Sequence, residues 1–254
     1  MPASDSGERS VLEGRHAVSE ALAVGRPIDK LYLLKGASGD SVLSAIRTRA
    51  QAAGIPVVEA DRHKLDAMSQ TGAHQGVIAA VPAAEYASVE DILRAAEADT
   101  APALIVLCDG LSDPHNLGAI VRTAGAAGAH GVIIPKHRSV SLTAACAKAA
   151  AGALEHVPVA RVTNLAETIV TLQKRGIWVF GTAGEATTSL YDADFNRPAA
   201  IVIGTEGSGL SRLVRERCDY LVSIPMKGAV PSLNASAAAA VVLFEAVRRR
   251  LGPS

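Results

Sequence analysis

Apolar and polar residues alternate in register with short α/β elements over the first eighty residues. The stretch GRHAVSEALAVG (14–25) carries its apolar residues at helical spacing and stops at Gly25. IDKLYLLKG (28–36) reads as a strand, DSVLSAIRTRAQAAG (40–54) as a helix ending at Gly54, and IPVVEAD (55–61) as a strand. RHKLDAMSQ (62–70) predicts a short helix, and GVIAAVP (76–82) a last strand ended by Pro82. After residue 100 the apolar runs lengthen. ALIVLCD, GVIIP, IWVFGTA, AAIVIG and YLVSIP have few polar interruptions, as expected of strands buried on both faces of a mostly parallel sheet. Between the two patterns lies AAEYASVEDILRAAEADTAPA, acidic and closed by Pro102, which reads as a linker holding one helix over 89–98. The chain therefore divides into an α/β domain at 8–82, a linker at 83–100 and a second α/β domain at 101–254.

Composition narrows the classes. With 49% apolar residues the 254-residue chain can bury a sizeable core, and no uncharged run is long enough to span a membrane. The polar start MPASDSGERS has no apolar signal segment. Cys108, Cys146 and Cys218 lie far apart without metal-ligand spacing, which fits a reducing, cytoplasmic setting and no bound metal. Net charge is zero, but residues 101–254 carry fifteen basic and eleven acidic side chains, which permits a nucleic-acid partner without demanding one. Aromatics are only 3%, too few for a base-stacking platform.

Ligands of open α/β sheets bind where strands end and loops begin, and three loops here are unusual. In DGLSDPHNLGAIVRTAGAAG, Asp113-Pro114 forces a turn and Asn116 is placed to cap a helix starting at Leu117. Leu117, Ile120, Val121 and Ala124 share one face of it, and Arg122 points away at about 100° per residue. In IVIGTEGSGLS, Gly204, Gly207 and Gly209 bend the chain around Glu206. The spacing matches neither a dinucleotide fingerprint nor a P-loop. In IPMKGAVPSLNASAAAAVVLFEA, Ser232, Asn234 and Ser236 stand at the mouth of a helix of small residues ending in Arg248, Arg249 and Arg250. Each loop alone also fits a structural role: a solvated arginine, a tight strand-to-helix turn with a helix-start carboxylate, or an ordinary N-cap. The three terminal arginines fit a helix dipole better than an RNA patch.

NLGAIVRTA, IVIGTEGSGLS and IPMKGAVPSLNASAAAAVVLFEA, in this order, closely resemble the three motifs of the SpoU-type (TrmH-like) RNA 2'-O-ribose methyltransferases of the SPOUT superfamily. EGRHAVSEAL and HQGVIA resemble the L30e-like RNA-binding domain that such proteins often carry. Two positions depart from the pattern: Pro231 precedes Ser232 and Ala235 follows Asn234. The resemblance implies a trefoil-knotted α/β domain, a homodimer with the active site completed across the interface, and S-adenosylmethionine as methyl donor without a metal. It implies cofactor contacts from backbone groups at Gly204, Ile224 and Leu233. Arg122 would act on the ribose hydroxyl, oriented with Asn116, Glu206, Ser232 and Asn234. The implied substrate is a guanosine 2'-hydroxyl of 23S ribosomal RNA, with transfer RNA or an antibiotic-resistance site as alternatives. A non-catalytic RNA-binding or ribosome-assembly protein on the same scaffold is the rival of another class. Candidate phosphate contacts in the N-terminal domain are Arg9, Arg15, Arg47, Arg49, Arg62 and Lys64, with His16 beside them; each also fits a solvated helix charge.

Overall fold

β1 (Val11–Glu13), α1 (Arg15–Ala23), β2 (Lys30–Leu34), α2 (Ser41–Ala52), β3 (Val57–Ala60), α3 (Arg62–Met68) and β4 (Val77–Ala80) follow one another in the computed structural model, which describes residues 11–36, 39–69, 71–82 and 84–252. These elements belong to a first unit of residues 1–85 with 141–145; a second unit takes in 86–140 and 146–254. The first sheet has the order β1-β4-β2-β3, with β2 and β3 parallel and the other pairs antiparallel. Its helices begin at side-chain caps: Asp40 accepts from the amides of Val42 and Leu43, and Asp61 from that of Lys64. Val18, Leu31, Leu33, Ile46 and Val77 form its buried centre.

The second unit runs α4 (Val89–Ala98), β5 (Leu104–Cys108), α5 (Pro114–Ala126), β6 (Gly131–Pro135), α6 (Ala144–Ala150, counted in this unit from Cys146), β7 (Val159–Val162), α7 (Leu165–Lys174) and β8 (Trp178–Thr182). It continues through β9 (Thr188–Ser189), β10 (Ala199–Ile203), α8 (Arg212–Arg217), β11 (Tyr220–Ser223) and α9 (Ala235–Arg250). The sheet order is β7-β6-β5-β10-β8-β11-β9, and every pair is parallel. β5 and β10 are buried at every residue, as their unbroken apolar runs require. Since all strands run the same way, the loops after β5, β6, β8, β10 and β11 emerge at one end of the sheet. The late strands sit between earlier ones: β10 between β5 and β8, β11 between β8 and β9.

Two expectations change. The helix read as part of a linker is α4, started by a Ser88–Asp91 capping box. It buries Ile92, Leu93 and Ala96 in the same core as Leu107 and Val202, so it is built into the second unit rather than tethering it. A methyl group at Gly131 would lie 2.6 Å from Ile92, which shows how closely this helix seats on β6. Three strands, β1, β7 and β9, were not read from the pattern, and all three are sheet edges. An edge strand needs only one hydrogen-bonded neighbour, and β7 and β9 carry polar residues such as Arg161 and Thr188.

Candidate active site

The end of β10 begins the site. Its last turn folds back on itself, with Thr205 and Gly209 exchanging both backbone hydrogen bonds at 3.0 Å. Gly207 (φ 95°) and Gly209 (φ 66°) supply the left-handed conformations this hairpin needs. At Gly204 a Cβ would stand 2.4 Å from the Gly209 carbonyl carbon, so this position is glycine because its own loop returns across it. Asp109, just past β5, accepts from the Ser211 amide at 2.6 Å and fixes the exit of the loop. Glu206 is exposed on the hairpin, and α8 begins only at Arg212 after Ser211. It is therefore not a helix-start charge.

The end of β8 forms the second wall. Thr182 Oγ1 donates to the Val202 carbonyl, and the Ala183 amide donates to the Val222 carbonyl, which ties the neighbouring strand ends together. Glu185 pairs with Arg215. A hydrogen bond from its own backbone amide, followed by that arginine, holds the Glu185 carboxyl below its usual range.

After β11 the chain behaves differently. Among the described residues, the backbone of 224–233 makes no hydrogen bond. It ends at Asn234, whose Oδ1 accepts from the Ser236 amide at 2.9 Å and from its hydroxyl at 2.6 Å, capping α9. Ser232 takes no part in that cap. A cavity of about 400 Å³ opens between these three loops. Gly204, Glu206, Ile224, Ser232 and Leu233 line it, with Leu210 on the β10 side.

The remaining candidates lie apart from this lining. α5 starts earlier than the sequence suggested: Pro114 occupies its first turn and Asp113 caps it by accepting from the His115 amide at 2.9 Å. Asn116 is thus inside the first turn and is not the cap. Leu117, Ile120, Val121 and Ala124 are fully buried, and Gly118 packs so closely on α6 that a Cβ would lie 2.4 Å from the Cys146 carbonyl oxygen. Arg122 is exposed and has no hydrogen bond or ion pair among the described residues. Among the described residues no cluster of His, Cys, Asp or Glu could hold a metal. Burial pushes all three thiols up to about 12, which disfavours the thiolate.

The family model described as the SpoU rRNA methylase family matches residues 103–244, the stretch that holds the parallel sheet and the cavity. The chain belongs to the SpoU rRNA methylase family. A second model, for RNA 2'-O ribose methyltransferase substrate binding, matches residues 11–87. A Ralstonia nicotianae protein named 23S rRNA (guanosine-2'-O-)-methyltransferase RlmB is 48% identical over 242 residues, 94% of this chain and 96% of that one. YacO of Bacillus subtilis, named for the TrmH family of tRNA/rRNA methyltransferases, is 46% identical over 245 residues, 96% of this chain and 98% of its own. Among solved structures, the SpoU methyltransferase AviRb from Streptomyces viridochromogenes, in complex with AdoMet, aligns with a TM-score of 0.60 at 29% identity. That alignment covers 96% of this chain and 91% of AviRb.

Within this SpoU chain, the sequence reading missed the β8 end, Thr182 to Glu185, which also lines the cavity. Its signal was the GTAG turn directly after a buried strand. In the first unit, Arg15 is held by Asp40 at 2.6 Å and by the Gln75 carbonyl at 3.2 Å, and Arg47 by Glu59 at 2.8 Å. Lys64 lies over the Tyr32 ring at 5.6 Å, and Arg62 approaches Asp66 at 4.0 Å. His16 and Arg49 are exposed, His16 lying 3.8 Å from Glu20. Arg9 lies outside the described residues. Among the described residues no helix is long and apolar enough to cross a membrane.

Proposed function

We propose that the protein methylates a guanosine ribose 2'-hydroxyl of 23S ribosomal RNA, with S-adenosylmethionine as donor, and works as a cytoplasmic homodimer. The observation that carries this reading is segment 224–233, whose backbone donors and acceptors are unpaired beside a cavity at the strand ends. Free amides and carbonyls recognise an adenine edge or a hydroxyl without adding charge. Apolar side chains at Ile224, Leu233 and Leu210 provide flat contact for the ring. The residues present thus fit the donor, with Gly204, Ile224 and Leu233 as its backbone contacts. The AdoMet-bound AviRb relative and the Ralstonia relative named for 23S rRNA support donor and substrate. The TrmH-type relatives named for tRNA or rRNA make transfer RNA the second substrate to test.

When bound, the donor presents a methyl carbon already activated by a positive sulfur. As the O–C bond forms, the S–C bond would break to leave a neutral thioether. The protein's tasks are therefore to align the ribose oxygen with that carbon and to stabilise the charge that grows on the oxygen as its proton passes to solvent water. Arg122 suits the second task, since it is exposed and without a partner among the described residues. A guanidinium has no lone pair to take the proton, so it acts by holding a neighbouring phosphate and the developing oxyanion. Arg122 is absent from the cavity lining of its own chain, which supports completion of the site by the second subunit. Ser232, which lines the cavity, and the amide group of the cap residue Asn234 would orient the ribose. The knot implied by the motifs would bring the 204–211 and 224–233 loops together around the donor.

Arg122→Ala is expected to bind S-adenosylmethionine normally and to lose methyl transfer at least about 100-fold. Calorimetry and tritium incorporation into ribosomal RNA measure the two. Transfer near the wild-type rate would remove Arg122 from the chemistry, and absent donor binding by the wild type would remove the activity itself.

A further inference from the structure

The loop after β6 carries Lys136, His137 and Arg138 in succession, all exposed. None of the three makes a side-chain hydrogen bond or ion pair among the described residues. Elsewhere in the second unit, Arg175, Arg197, Arg212, Arg215, Arg248 and Arg249 are each paired with a carboxylate, whereas here three side chains without such a partner stand in succession. The surrounding sequence contributes no counter-charge, since residues 114–154 contain no Asp or Glu.

Two features show that folding alone does not explain this loop. Arg138 holds φ at 54°, a left-handed conformation in which a long L side chain is unfavourable and glycine or asparagine is usual. Beside it, the Ser139 hydroxyl oxygen is buried without a partner among the described residues. Strained backbone and an unsatisfied polar group in one loop point to a constraint other than stability.

The loop also stands next to the cavity. Gly110, at the end of β5, lies between the two: a methyl group there would be 3.3 Å from Thr205 Cγ2, on the cavity wall, and 3.9 Å from the Arg138 carbonyl oxygen. The strained turn that carries the unpaired cations thus runs beside the cavity wall. We propose that Lys136, His137 and Arg138 form a phosphate-binding rim that holds the RNA strand beside the target ribose. The proposal rests on the methyl-transfer reading above. Each phosphate neutralised by such a cation releases bound counterions, so the contact is readable in the salt dependence of binding.

The test uses the full-length protein and deproteinised ribosomal RNA from cells lacking it. Lys136→Gln/Arg138→Gln is expected to raise KM for this RNA about tenfold or more, to flatten the log–log salt slope of filter binding by about one to two units, and to leave S-adenosylmethionine affinity unchanged. Arg138→Gly keeps the left-handed turn while removing the charge. It should give about half the change in slope with a melting temperature equal to or above wild type. Unchanged KM and salt slope in both variants would overturn the rim. Filter binding reads the rim without turnover, so a wild type that binds RNA with a salt slope but transfers no methyl group would sink the activity and not the rim.

Discussion

At the tail of α9, Arg250 reaches into the second unit and donates to the backbone carbonyls of Pro102, Ala103, Phe195 and Arg197, at 2.7 to 3.1 Å. One turn earlier, the buried Glu245 accepts from both Arg248 and Arg249. At the mouth of the same helix, residues 224–233 make no backbone hydrogen bond among the described residues. The tail therefore helps hold the fold together through ion pairs and carbonyl contacts, roles beyond the helix-dipole one read from the sequence. The mouth leaves its donors and acceptors free for a ligand. On the proposed function, a single helix thus separates stability from binding along its length.

Substitutions at the two ends should separate in the same way. Arg250→Met at the tail strands several carbonyls at once and is expected to cost about 3 kcal/mol in denaturant unfolding. A variant as stable as wild type would show that water replaces the guanidinium. Glu245 sharpens the same end through pH. Its carboxyl is held below its usual value of 4.5, first by the hydrogen bond from Arg248. A depressed carboxylate stabilises the fold above its unfolded pKa, and that contribution is lost as pH falls through the lower folded value. Melting temperature should therefore drop on acidification below about pH 4.5, and drop less steeply in Glu245→Gln. Equal acid sensitivity in the two proteins would contradict this. The smallest effect is expected at the mouth, where Asn234→Ala removes the cap and costs about 1 kcal/mol. The same variant should weaken methyl transfer more than its stability loss explains. If it lowers stability and leaves transfer intact, the mouth is only a helix start.

Periodicity revealed the elements that bury two faces or a full helical stripe. Leu117, Ile120, Val121 and Ala124 marked the inner face of α5, and the apolar runs marked β5, β6, β8, β10 and β11. The short or polar edge strands β1, β7 and β9 stayed hidden because each meets only one neighbour and needs no double apolar face, whereas the edge strand β3 showed through its apolar IPVV run. The start of α5 was misplaced because Asn116 looked like a cap, whereas Asp113 followed by Pro114 is the stronger signal. The three motifs named candidate residues, of which Gly204, Glu206, Ile224, Ser232 and Leu233 lie around the cavity.

Local sequence determined the two α/β patterns, the helix caps and the glycine turns, because each depends on neighbours a few residues away. The motifs also carried the family, since their residue types and order survive without coordinates. Only the tertiary structure decided that β10 and β11 insert between earlier strands, which brings three separate loops around one cavity. It alone showed that Arg122 and Arg138 stay unpaired among the described residues while arginines such as Arg175 and Arg197 pair with carboxylates. Pairing depends on which carboxylates the fold brings within reach, and that is a property of distance in space.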